Sequence, residues 1–238
     1  MSWRRKDVAR RMKRGFTILA IVTAVLLSFG LYEALIAAPT ERTMGDVQRI
    51  FYYHVPSAWT AFLLFLINFV GSIVYLIRRD EKSDILALVS AEVGVVFCTV
   101  VLVTGPIWAR PVWGIWWTWD LRLTLTLVLW LIYVSYLTLR RFSTSSQTPM
   151  LAAVLAVFGA LDIPLVYFSI WFFRTQHPSP VIGNGGSLDP RMAHVLLINW
   201  AAFLCLAWLM CWTRYRLEVL KREVEEEQAL ESILEGTR

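Results

Sequence analysis

The stretch from Trp108 to Asp120 reads WARPVWGIWWTWD and carries Trp108, Trp113, Trp116, Trp117 and Trp119 within thirteen residues. Indole offers a broad apolar face and a single N–H donor at its edge, so a cluster of indoles suits a planar, partly apolar ligand. Tryptophan also anchors helices at the membrane–water boundary. On a continuous surface helix, Trp113, Trp116, Trp117 and Asp120 would share one face. Five indoles beside Asp120 and Arg122 favour the ligand platform over the anchor. Asp120 immediately precedes a long apolar run and so also reads as a helix N-cap. The other chemistry-bearing residues are three histidines, His54, His177 and His194. A neutral imidazole is a common ligand for iron, although a histidine at a helix end also serves as a cap or hydrogen-bonded structural group.

The elements that must position these groups are membrane spans. Of 238 residues, 57% are hydrophobic and 17% charged, and apolar runs longer than about eighteen residues recur, which excludes an ordinary soluble domain. The reading is all-α and polytopic, with six transmembrane helices near residues 16–38, 54–77, 85–103, 121–139, 150–173 and 192–212. Residues 1–15 form a basic N-terminus, 16–213 the membrane domain with its tryptophan segment at 104–123, and 214–238 a charged tail. The N-terminus, the two short loops and the tail hold seventeen of the 23 Lys and Arg. That excess marks the cytoplasmic side, so both termini are expected inside. The net charge of +5 is thus a topology signal and not a nucleic-acid footprint. Cys98, Cys205 and Cys211 are isolated and form no CxxC, so neither a zinc site nor a redox pair is indicated. The turn Gly183–Gly186 lacks the strand–turn–helix context of a phosphate loop.

Parity of the spans puts His54, the tryptophan segment and His177 on the same, exterior face. Two imidazoles and an indole platform there suggest a flat, largely apolar, iron-containing ligand with anionic groups. Haem has those features, and Arg110 and Arg122 are candidate partners for its propionates. His194, near the start of the last span, reads better as a structural residue. Glu33, Glu92 and Asp162 fall within spans, where ionisable groups take functional or inter-helix roles, but their scatter does not form an ion path. Asn68 and Asn199 read as hydrogen-bonding glue between helices.

WGIWWTWDLRLT (Trp113–Thr124) resembles the tryptophan-rich WWD signature of haem-handling proteins in cytochrome c maturation. With six spans, FYYHVPSAW (Phe51–Trp59) and a histidine after span five, nearly the whole chain is similar to the CcmC, or haem exporter protein C, family. The resemblance implies haem b carried as cargo, with His54 and His177 on the iron and Trp113, Trp116, Trp117, Trp119 and Asp120 around the porphyrin. It also implies a bacterial inner-membrane location and delivery of haem to a membrane-anchored haem chaperone. The implied partners are the ATPase and membrane subunits of an ABC transporter and a small single-span subunit. Such a protein is no enzyme, and this chain has no nucleotide motif. The alternatives are a haem-export permease subunit, a haem-containing membrane oxidoreductase, or the larger cytochrome c synthase of the same superfamily. The oxidoreductase usually needs histidine pairs inside spans, and the synthase is typically longer with more spans.

The topology is tested by single-cysteine labelling of intact cells, on a background lacking the native cysteines. A probe in Arg110→Cys is expected to react from outside, and one in Lys6→Cys only after permeabilisation. The reverse pattern would overturn the six-span arrangement.

Overall fold

The computed structural model describes residues 3–173, 177–178 and 188–236; Arg174 and the Gly183–Gly186 turn lie outside them. The described chain is a helical bundle. Helix α1 (Trp3–Tyr32) ends in a π-helical turn (Glu33–Ala37), and a 3-10 turn (Asp46–Ile50) leads into α2 (Phe51–Arg78). Then follow α3 (Glu81–Trp113), α4 (Leu121–Phe142), α5 (Thr148–Ala160), α6 (Asp162–Phe172) and α7 (Pro190–Gly236). Among the described residues, six helical stretches are long and apolar enough to cross a membrane, with α5 and α6 together making the fifth. Helices prevail because lipid offers no partner for backbone N–H and C=O groups, and a helix satisfies them internally.

Span five, expected as one helix over 150–173, is interrupted at Leu161. Pro164 lacks the N–H that would bond the Ala160 carbonyl, so the helix restarts at Asp162, whose carboxylate favours a helix N-terminus. Span three is longer than expected and carries the chain through Trp108 to Trp113. Asp80 caps its start by accepting from the Ser83 backbone N–H at 3.0 Å.

Two clusters of buried side chains fill the bundle. The larger contains Phe65, Val93, Phe97, Leu129, Tyr133 and Ala156, with Phe65 stacked on Tyr133 at 3.8 Å between ring centroids. The smaller joins Ala34, Phe51 and Tyr52 to Met192 and Leu196 at the end where α1 and α2 meet α7. Two buried amides within the spans are bonded across helices. Asn68 donates to the Ala87 carbonyl at 2.7 Å, and Asn199 to the Gly30 carbonyl at 3.2 Å.

Residue 214, where the sequence reading begins the tail, falls inside α7, which continues unbroken to Gly236. At about 1.5 Å per residue, such a helix far exceeds a hydrocarbon core about 30 Å thick. Its first turns past the apolar stretch are fastened to the bundle. Arg214 makes a two-bonded contact with Glu92, both at 2.8 Å. Arg222 reaches Asp84 at 2.7 Å and Glu218 at 3.1 Å. Asp84 also receives both guanidinium nitrogens of Arg140, at 2.6 and 2.8 Å. One buried carboxylate therefore ties α3, α4 and α7 at a single end of the bundle.

Removing that carboxylate leaves two guanidiniums without their shared partner. Asp84→Ala is expected to cost about 3–5 kcal/mol, read as a lowered thermal midpoint of the purified protein and faster proteolysis after Arg222. Truncation after Arg222 keeps every one of these pairs and is expected to leave the midpoint unchanged.

Candidate functional site

At the opposite end from the Asp84 cluster, a slot opens between α2, α3, α4 and α6. His54, Trp108, Trp113, Trp117, Arg122 and His177 are among its lining, with Ala61, Cys98 and Val166 towards its floor. The lining is overwhelmingly apolar, and the room inside is about 80 Å³.

His54 stands in the first turn of α2 and is 7% exposed. Its Nδ1 lies 2.8 Å from the Thr104 hydroxyl on α3, and the indole of Trp108, one turn further along, meets its ring edge-on at 5.8 Å. An α-helix brings positions four apart onto one face, so Thr104 and Trp108 hold the ring as a pair. His177 lies beyond α6, and its ring centroid is 6.4 Å from that of His54 with 35° between the planes. The Nδ1 of His177 donates to the Pro178 carbonyl at 2.9 Å; a carbonyl only accepts, so the lone pair sits on Nε2. Burial, aided by the positive charge of Arg122, pushes the His177 imidazole down to about 4. It is therefore neutral at physiological pH, the form that binds a metal.

The slot's buried polar atoms without a partner among the described residues are all donors: Arg122 Nη1, Trp117 Nε1 and Trp108 Nε1. An unmet buried donor is costly and marks a place where an acceptor belongs. Anionic oxygens meet that need best at Arg122, since a guanidinium recognises a carboxylate through paired bonds.

The family described as Heme exporter protein C matches residues 4–230. The chain belongs to the heme exporter protein C family. Similar proteins include the Heme exporter protein C of Bradyrhizobium diazoefficiens, 35% identical over 90% of this chain and 82% of that protein. Those of Escherichia coli K12 and Haemophilus influenzae are each 30% identical, covering 92% and 87% of this chain and 90% and 86% of theirs.

The tryptophan segment of this family member is split between slot and surface. Helix α3 ends at Trp113, and Gly114 reverses the chain at φ +79°, a conformation that glycine adopts without the Cβ clash. Residues 114–120 are then not helical, so no helical stripe of indoles forms. Trp117 turns into the slot and packs edge-on against Trp119 at 5.8 Å. Trp116 and Trp119 remain 60% and 74% exposed. Asp120 caps α4 by accepting from the Leu123 backbone N–H at 3.1 Å, while Arg110 is exposed and donates to the Gly114 carbonyl. The slot thus gathers His54, His177, Trp113, Trp117 and Arg122, and leaves Trp116, Trp119, Asp120 and Arg110 around it. His194 is exposed on α7 and not in the lining. Trp108 belongs to the indole run that the sequence marks, whereas Thr104 carries no such mark. Their spacing of four at the end of span three, facing a histidine at the matching end of span two, was the available signal.

Proposed function

We propose that this chain binds haem at the exterior face of the bacterial inner membrane and delivers it to a membrane-anchored haem chaperone during c-type cytochrome biogenesis. The observation that carries the reading is the 6.4 Å separation of the His54 and His177 rings in a member of the heme exporter protein C family. Two imidazoles bonded to one metal from opposite sides, each at about 2 Å, would have ring centroids about 6 Å apart. Arg122, with a donor that has no partner among the described residues, suits one propionate, and the indole N–H groups of Trp108 and Trp117 are further donors to it.

Haem is cargo here, and the chain's residues do the work of holding and releasing it. His54 and His177 position the iron, and the apolar lining keeps water from it. About 80 Å³ of room accepts a few water molecules and not a porphyrin. Haem binding therefore requires the lining side chains to part around the ring, which would leave an edge outside near the exposed Trp116 and Trp119, within a partner's reach. The chain is not an enzyme. Partners of an ABC transporter, its ATPase and membrane subunits with a small single-span protein, supply ATP hydrolysis. Both termini and the Asp84 cluster face the cytoplasm. The permease alternative is disfavoured by the packed cluster of Phe65, Val93, Leu129 and Tyr133, which lies across the bundle.

Replacing His54 or His177 with Ala is expected to leave the protein inserted and to shift the visible spectrum of bound haem, with imidazole partly restoring it. His194→Ala is expected to match the parent. An unchanged spectrum in both ligand variants would overturn axial ligation. Trp117→Ala is expected to lower haem retention several-fold, from a lost aromatic contact of about 1 kcal/mol plus lost burial, whereas Trp119→Ala retains haem and weakens transfer to the chaperone. Equal retention in the two, measured by haem absorbance per protein, would place both in the membrane anchor.

A further inference from the structure

The hydroxyl of Thr104 makes three close approaches: 2.7 Å to the Val100 carbonyl, 3.4 Å to the Val101 carbonyl and 2.8 Å to His54 Nδ1. A hydroxyl has one proton to give and two lone pairs to receive with. Both carbonyls can only accept, and the Val100 contact has the length of a good O–H···O bond. The proton therefore goes to Val100, and the bond to His54 runs the other way, from Nδ1–H to Oγ1. We propose that Thr104 is a positioning residue that holds His54 in the Nδ1–H tautomer and so turns the lone pair of Nε2 to the ligand in the slot.

The physical case rests on burial. In water, either ring nitrogen can carry the proton. In an apolar slot, an Nδ1–H without an acceptor is penalised, and a histidine lacking Thr104 would move its proton to Nε2 or rotate, either of which removes the iron-binding lone pair. Gly105 and Trp108 set the ring from the same turn of α3. A Cβ on Gly105 would sit 3.5 Å from His54 Cε1, and Trp108 packs at its edge. These contacts fix where the ring lies, but an apolar contact does not choose between tautomers, and only the Thr104 bond does. Thr104 is also held in turn, since its own proton is committed to the helix. The second histidine reaches the same state by another route, through the Pro178 carbonyl. A hydroxyl is a weaker acceptor than a carboxylate and adds less electron density to the ring. That suits a ligand that must release its cargo.

This inference rests on the proposed ligation by His54, and the test separates the two. Haem complexes of the full-length parent, Thr104→Val, Thr104→Ser and His54→Ala are compared for retention, visible spectrum and midpoint potential. Thr104→Val keeps the shape of threonine without the hydroxyl. It is expected to lose about 10-fold in haem retention, to show the spectrum of His54→Ala, and to regain the parental spectrum with added imidazole. Thr104→Ser restores the hydroxyl and is expected to match the parent in all three readouts. A Thr104→Val complex with parental spectrum and potential, while His54→Ala is altered, would overturn the role of Thr104 and leave the ligation standing. A Thr104→Ser variant as defective as Thr104→Val would assign the effect to the lost methyl or shape, and would also overturn it. A parental spectrum in His54→Ala would remove the ligation and this inference together.

Discussion

Close approach of α2 and α3 is the constraint on which the site depends. Lipid gives helices no hydrophobic reason to associate, so they are held by tight backbone approach and buried hydrogen bonds. Gly71 meets Ala87 across the pair, with 3.3 Å left for any Cβ at the glycine. At Gly94 a Cβ would come within 2.6 Å of the Phe65 ring, so a larger residue would push the helices apart. Asn68 bridges the same seam to the Ala87 carbonyl. Displacement along this seam would be felt where it ends, at the bond between His54 and Thr104.

The two ends of the bundle solve different electrostatic problems. At one, Asp84 and Glu92 compensate Arg140, Arg214 and Arg222, so charge drawn into the protein is matched locally. The mutual arrangement anchors the long α7 helix without burying an unpaired ion. At the other end, Arg122 keeps a donor without a partner among the described residues, beside indole N–H groups in the same condition. A stability-minded arrangement would have met those donors internally. Leaving them unmet is consistent with a site whose acceptors arrive with a ligand, as the proposed propionates would.

Much of this was legible in the residues. The six spans follow from apolar runs, because bilayer thickness sets the length a helix must have and lipid forbids open backbone. Asp120 was readable as a cap from its place before an apolar run, and it is one. Asn68 and Asn199 were readable as inter-helix donors because a buried amide needs a partner. The scatter of Glu92 and Asp84 along the sequence concealed their pairing with Arg214 and Arg222, 122 and 138 residues away. No local pattern encodes a partner at that distance.

The sequence by itself determined the helical class, the span count and the set of residues able to do chemistry, because those depend on composition and on periods read along one segment. Only the tertiary structure decided which of them converge. Gly114 ends α3 with a left-handed residue and turns Trp117 inward while Trp116 and Trp119 stay outside; the run of five indoles looks uniform until that backbone angle is known. His54 and His177, 123 positions apart, meet at 6.4 Å because α2 and α6 flank one slot. The tautomer of His54 was beyond any sequence reading. It follows from a single hydroxyl proton on a neighbouring helix, and that proton's direction is fixed by geometry in three dimensions.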